Sequence, residues 1–189
     1  MRRKKMMMVI LAAILIVTVG ILSGCGDKET SSDETTTSSV KKIESLDTTD
    51  IDGKPVDMSI FKDKKLTLVN LFSTNCGPCM GELPDIADLS KELEGSDMSA
   101  VAVILNTTAS GKPDMQAGGI VKGLLDDKAD FLTVIYPDEN MQANIISDVT
   151  SVPYTFFVDE NGEMVGEPYI GAHSKDEWKD IMNKLKKNL

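Results

Sequence analysis

The sequence predicts an α/β protein, a central mixed β-sheet with helices on both faces. Three observations lead there. Leu66–Phe72 (LTLVNLF) and Ser99–Leu105 are short apolar runs of the kind that form buried strands. Segments with apolar residues at helical spacing alternate with such runs. Near the C-terminus an Asn161-Gly162 pair between two short stretches marks a hairpin. Strands alternating with helices and closing on a hairpin make a sheet that is covered on both sides.

Taken in order, Leu66–Phe72 is the first buried strand. Pro78 stops a strand but suits the first turn of a helix. Over Pro78–Leu93 the residues Met80, Leu83, Ile86, Ala87, Leu89 and Leu93 recur at mostly helical spacing. Pro84 inside that stretch predicts a kink, and Gly95 a stop. Ser99–Leu105 is the second strand, followed by a loop over Thr107–Pro113. Ile120–Asp127 reads as a helix, weakened by Gly118, Gly119 and Gly123. Phe131–Tyr136 is a third strand, ended by Pro137-Asp138, and Glu139–Ile146 a short helix. Tyr154–Asp159, a turn through Gly162 and Glu163–Val165 form the hairpin. Lys175–Leu189 is an amphipathic helix whose Trp178, Ile181, Met182 and Leu185 fall on one face. Trp178 is expected in the core, and His173, just before this helix, at the surface or as a cap.

The first two dozen residues stand apart. Arg2, Arg3, Lys4 and Lys5 precede Met6–Leu22, 17 residues without a charge, and Leu22-Ser23-Gly24-Cys25 closes the run. A basic start, an apolar middle and small residues before a break describe an export signal. The pattern resembles the bacterial lipoprotein signal, which implies cleavage after residue 24 and a lipid on Cys25. The same residues also admit an uncleaved membrane anchor, or plain secretion with Cys25 incidental. Gly26–Ser39 is polar and Ser/Thr-rich, the composition of a spacer rather than a fold. The expected organisation is a signal over 1–24, a lipidated Cys25 and tether over 25–44, and a domain over 45–189.

Removing the signal changes the charge. The chain holds 20 basic and 30 acidic residues. Four of the basic ones, including both arginines, lie in residues 1–24, which leaves 16 against 30 and a net of −14. Such a surface excludes nucleic-acid binding, which needs clustered cations. It is also repelled by anionic lipid, so the domain should stand clear of the membrane.

Cys76 and Cys79 sit three apart in LFSTNCGPCMGELP. A structural zinc site wants four ligands, and His173 is the only histidine. A structural disulfide here would close a loop of two residues and constrain the unfolded chain little. A redox couple accounts for more of the residues. Cys76 falls where a strand ends and a helix begins, and there free N–H groups and the helix dipole lower a thiol pKa. Cys79, one turn in, is placed to attack a mixed disulfide formed at Cys76. Gly77 allows a tight turn and Pro78 fixes it.

Asn70–Leu83 resembles the active-site segment of the thioredoxin superfamily. From about Ser45 to Leu189 the chain resembles its membrane-tethered TlpA/ResA-like branch of thiol–disulfide oxidoreductases. Besides CGPC, Ser151–Gly162 (SVPYTFFVDENG) is similar to the family's cis-proline loop and hairpin. Thr49–Met58 resembles the branch's N-terminal hairpin, and Thr107–Ala129 its central helical insertion. The resemblance implies a thioredoxin-like fold, a Cys76–Cys79 redox disulfide with no other cofactor or metal, and a cis Val152–Pro153 bond. It implies a client-facing rim that includes Asn75, Gly77, Pro78, Val152 and Pro153. It also implies a monomer that acts on exported proteins such as apocytochrome c or a methionine sulfoxide reductase. Its electrons would come from a membrane donor of the CcdA/DsbD kind.

Two departures matter. Thioredoxins proper carry Asp where this chain has Asn70, which cannot take a proton from Cys79. Glu82, three residues after Cys79, matches the acidic residue of the ResA-like branch. Partly buried, it would have a raised pKa and serve as that base. Exposed, it would be an ordinary first-turn Glu favoured by the dipole. Asn75 replaces the usual Trp and makes the rim more polar. Among rivals, a peroxiredoxin needs a Pro where Val69 stands and an Arg that the mature chain lacks. A Sco-like copper-delivery protein wants wider cysteine spacing and a His ligand, for which only His173 is available. Gly-Pro between the cysteines leans toward a reductant, with a disulfide-donating thiol oxidase as the alternative.

Overall fold

Strand β3 (Leu66–Phe72) is the spine of the fold, and all seven of its residues are buried. The computed structural model describes residues 41–189. A strand with period-two side chains between two packed faces must divide its residues between them. Leu66, Leu68 and Phe72 join one core, with Leu83, Ile86 and Trp178. Val69 and Leu71 join the other, with Ile43, Phe61 and Phe156. By the same alternation Asn70 points to the first side. It is 1% exposed, a polar residue placed among apolar ones.

The sheet runs β5-β4-β3-β6-β7, with β3, β4 (Met98–Ile104) and β5 (Thr133–Ile135) parallel. β6 (Tyr154–Val158) and β7 (Tyr169–Ile170) are antiparallel additions. Helix α1 (Gly77–Glu92) crosses from β3 to β4 and continues through Pro84. It lies over Ala100 and Ala102 of β4, where small side chains let a helix approach. Helix α4 (Lys175–Lys186) packs beside α1, opened by a capping box of Ser174 and Glu177. Lys175 and Lys179 both donate to Glu92 of α1 and hold its carboxyl at about 2.

The expected N-terminal hairpin is present as β1 (Asp47–Thr49) and β2 (Pro55–Asp57). It caps the β5 edge: Ile51 N–H donates to the Val134 carbonyl at 2.9 Å and Tyr136 N–H to that of Thr49 at 3.1 Å. An edge covered this way offers no free ladder to another chain.

Several boundaries differ from the sequence reading. Folded structure begins before residue 45: Ile43 is fully buried, and its N–H donates to the Gly162 carbonyl at 2.9 Å. One apolar residue in a polar run is a weak signal, yet it fills a slot under the hairpin. Helix α2 spans Met115–Leu125 and so starts five residues before Ile120, capped by Asp114. Its glycines discounted it in the sequence, but Gly118 has a packing reason. A Cβ there would lie 2.6 Å from the Tyr136 hydroxyl. Asp126–Phe131 forms a 3-10 turn that shortens the third expected strand to Thr133–Ile135. α3 covers Glu139–Asn144, with a 3-10 turn at Ile146–Asp148. The return arm of the C-terminal hairpin makes only isolated bridges, Met164 with Val158 and Glu163 with Lys42, and the regular partner of β6 is β7.

Candidate active site

Cys76 is the N-cap of α1, with extended backbone at φ −101° and ψ 107°. Pro78 occupies the first turn, where its missing N–H has no helical partner to lose. Where Ser or Asp would ordinarily accept from the helix, a sulfur does: Cys79 N–H lies 3.2 Å from Cys76 Sγ. On reduction the same N–H and the positive end of the helix dipole stabilise a thiolate at Cys76. The two cysteines form a disulfide with an S–S distance of 2.08 Å. They are not equivalent, because Cys76 is half-buried while Cys79 is 1% exposed. Only Cys76 can be met from outside.

Around Cys76 lie the exposed Asn75, Gly77 and Pro78. Gly77 does not have positive φ, and a Cβ there would meet nothing within 4 Å. The turn therefore places no demand for glycine, contrary to the sequence reading; the bare backbone leaves room for a partner instead. The Val152–Pro153 bond is cis, and the Val152 carbonyl oxygen is 3.6 Å from Cys76 Sγ. Pro153 is buried, its carbonyl accepting from Gly171 N–H at 3.0 Å. Asn106, at the end of β4, was missed from sequence. Its Oδ1 accepts from Thr74 N–H at 2.9 Å and its Nδ2 donates to Thr74 Oγ1 at 2.8 Å. The pair of bonds clamps the loop that carries Cys76.

Glu82 follows Cys79 by three residues on the buried face of α1 and is 3% exposed. Its Oε1 accepts from the Trp178 indole Nε1–H at 2.7 Å and from His173 N–H at 2.9 Å. Its Oε2 accepts from Asn70 Nδ2 at 3.3 Å. Burial raises the Glu82 carboxyl above its ordinary value, while the His173, Trp178 and Asn70 donors pull the other way. Trp178 is core, fully buried, but its indole N–H is also part of this site. His173 is neither a free surface residue nor a helix cap, since its ring packs at a tilt against Trp178 with centroids 4.4 Å apart and its amide holds Glu82. One signal could have linked them: a buried Trp needs an acceptor, and a buried Glu needs donors.

The raised carboxyl has a consequence for stability. A group whose folded pKa lies above its unfolded value stabilises the fold through its protonated form. That contribution is complete below the unfolded pKa and is lost as pH rises through the folded one. Urea unfolding across this window should show wild type losing stability relative to Glu82→Gln. Parallel stability curves for the two proteins would contradict it.

A profile of the Redoxin family matches residues 32–169. The chain belongs to the Redoxin family. Among curated proteins, this redoxin is 26% identical over 136 residues to the thiol-disulfide oxidoreductase ResA of Oceanobacillus iheyensis. That match covers 72% of the redoxin and 65% of the Oceanobacillus protein, just under two thirds of its length. ResA of Bacillus subtilis is 27% identical over 137 residues, covering 72% and 70%. In structure, the redoxin resembles a thioredoxin-family thiol:disulfide interchange protein of Chlorobium tepidum, with a TM-score of 0.61 at 22% identity. That superposition covers 77% of the redoxin and 96% of the other chain. It also resembles the exposed lipoprotein thioredoxin of Streptococcus pneumoniae, with a TM-score of 0.60 at 24% identity, covering 76% and 98%. These establish the thioredoxin-like fold of the redoxin. Among its described residues no three His, Cys, Asp or Glu side chains form a group able to hold a metal ion. The expected signal over 1–24, Cys25 and the spacer Gly26–Ser39 lie outside the described residues.

Proposed function

We propose that this redoxin is an extracytoplasmic thiol–disulfide oxidoreductase that reduces disulfides in exported proteins. The observation that carries the reading is the asymmetric sulfur pair: one reachable at a helix N-terminus, the other buried with a carboxyl one turn further in. The Cys76 thiolate attacks a client disulfide, and one client sulfur leaves with the bonding pair. Cys79 gives its proton to Glu82 and attacks Cys76 Sγ. The Cys76–client bond breaks, and the second client sulfur leaves. The two client thiolates take up one proton from Glu82 and one from water, so the reduced pair has passed on two electrons and the single proton of Cys79, and solvent supplies the other. The Val152 carbonyl beside Cys76 supports a client strand lying across the cis-proline loop. The polar Asn75 favours clients other than those of ordinary thioredoxins.

The reading extends to an anchor at Cys25, in keeping with the lipoprotein thioredoxin that the fold resembles, and, as the resemblance of the active-site segment implies, to clients of the apocytochrome c or methionine sulfoxide reductase class and a CcdA/DsbD-like membrane donor. The deciding experiment is the reduction potential of the Cys76/Cys79 pair in glutathione or dithiothreitol buffers. A value near or below about −270 mV is expected of a reductant. A value near about −120 mV would make the protein a disulfide donor instead, and no reversible couple would return the pair to structure. In the same assay series, Glu82→Gln should slow turnover about tenfold or more and remove the acid-side loss of rate that a protonated Glu82 imposes. An unchanged pH profile would remove Glu82 from the mechanism.

A further inference from the structure

The donors around Glu82 are of unequal kinds, and their inventory assigns the proton to one oxygen. The indole Nε1–H of Trp178 and the main-chain N–H of His173 can only donate. Both point at Oε1, at 2.7 and 2.9 Å. That oxygen must therefore remain an acceptor whether or not the carboxyl is charged. Oε2 has one partner, Asn70 Nδ2, at a long 3.3 Å. Asn70 Nδ2 also donates to Thr155 Oγ1 at 2.8 Å, while Asn70 Oδ1 is buried with no partner. A buried amide oxygen left idle beside a carboxyl is an unusual cost in a native core.

We propose that the Trp178 and His173 N–H groups hold Oε1 of Glu82 as a permanent acceptor, so that the exchangeable proton rides on Oε2 and is received there by Asn70. A protonated Oε2 facing an NH2 group would set donor against donor. Rotating the Asn70 amide by a half turn exchanges its two ends. Oδ1 then accepts from Glu82 Oε2–H and from the Thr155 hydroxyl, and the amide NH2 turns into the buried position that Oδ1 leaves. The two orientations of Asn70 thus match the two charge states of Glu82. Asn70, which cannot take the proton itself, instead makes it possible for Glu82 to keep it. This deepens the reading of Glu82 as the base for Cys79 and rests on it. Trp178 and Asn70 act through Glu82 and are positioning residues.

Ionisable side chains on the elements packed around Glu82 are Cys79 and Asp85 on α1, His173 and Glu177 at the head of α4, and Tyr169 on β7. Asp85 is engaged with Lys175 N–H, and Glu177 with Ser174. Tyr169 packs its ring against Trp178 and His173. In the disulfide form neither cysteine titrates, which leaves His173 as the neighbour whose ionisation must be followed separately. The His173 donor is main-chain and survives side-chain substitution, so Trp178 is the position to change.

The test is a pH titration of the full chain in its disulfide form by NMR, following Glu82 Cδ, the Trp178 indole N–H and the Asn70 side-chain NH2. All three should move with one midpoint, and the contact between Asn70 NH2 and Thr155 should disappear below it. Trp178→Phe keeps an aromatic ring against Phe157 and Tyr169 but removes the donor, and should raise the Glu82 midpoint by about one to two pH units. If the indole and Asn70 signals ignore Glu82, or Trp178→Phe leaves its midpoint in place, the proposal is overturned; the first of these needs no variant to fold. Turnover of the reduced protein separates the two ideas. If the Glu82 midpoint moves in Trp178→Phe but the turnover profile does not, the proton assignment stands and Glu82 as base for Cys79 falls.

Discussion

Cys76→Ser is expected to reduce disulfide reductase activity to the uncatalysed background, and Cys79→Ser to halt the protein after one half-reaction. The difference follows from burial. Cys76 is the sulfur a client can reach, and as the N-cap of α1 it faces the Cys79 N–H. A hydroxyl in its place caps the helix as well but does not exchange with disulfides, so the fold should persist while chemistry stops. Cys79, at 1% exposure, meets no client directly and acts only on a bond already formed at Cys76. Without it, the mixed disulfide should accumulate and run as a higher-mass band that dithiothreitol removes. Full multiple-turnover activity in either variant would end the two-cysteine mechanism.

Gly162→Val is expected to be among the most destabilising single substitutions, about 4 kcal/mol by chemical denaturation. Two costs combine. Gly162 has φ +80°, a region that costs an ordinary residue about 1–2 kcal/mol and a β-branched one more. A Cβ would also lie 2.5 Å from the Ile43 carbonyl oxygen, which forces the N-terminal segment off its site at about 1–3 kcal/mol. Gly95→Val supplies the control, since Gly95 has φ +75° and open space around it. The difference between the two variants measures the contact with Ile43. Equal losses would show that only backbone conformation matters at residue 162.

The sequence was most legible where a single physical demand governs a segment. β3 was located to the residue because a strand between two cores must be apolar throughout, and Pro78 placed the start of the next helix to within one residue. Glu82 was singled out by the resemblance to the ResA-like branch, and its burial agrees with a place three residues after Cys79 on the same helical face. What escaped depends on contacts distant in sequence. His173 and Trp178 lie 91 and 96 positions beyond Glu82, and nothing local distinguishes them from a loop histidine and a core tryptophan. The start of α2 escaped because Gly118 weakens a helix while suiting its packing against Tyr136. The Asn161-Gly162 pair correctly marked a turn. Asn161 lacks the positive φ of a two-residue hairpin loop, so only Gly162 takes the left-handed conformation and the return arm stays irregular.

The pinning of Ile43 under Gly162 also decides how the molecule faces its surroundings. β6 begins at Tyr154, next to the cis-proline loop and Cys76, and runs away from them to Val158 and the turn where Ile43 is held. Residues entering the domain from the N-terminal side thus arrive at the pole opposite the sulfurs, roughly 13–20 Å away along the strands. The proposed lipid anchor at Cys25 would therefore join the domain at the end away from Cys76. On the proposed function, clients would meet Cys76 without passing the point where the anchor segment joins, whereas a membrane donor would have to reach the far pole of the domain.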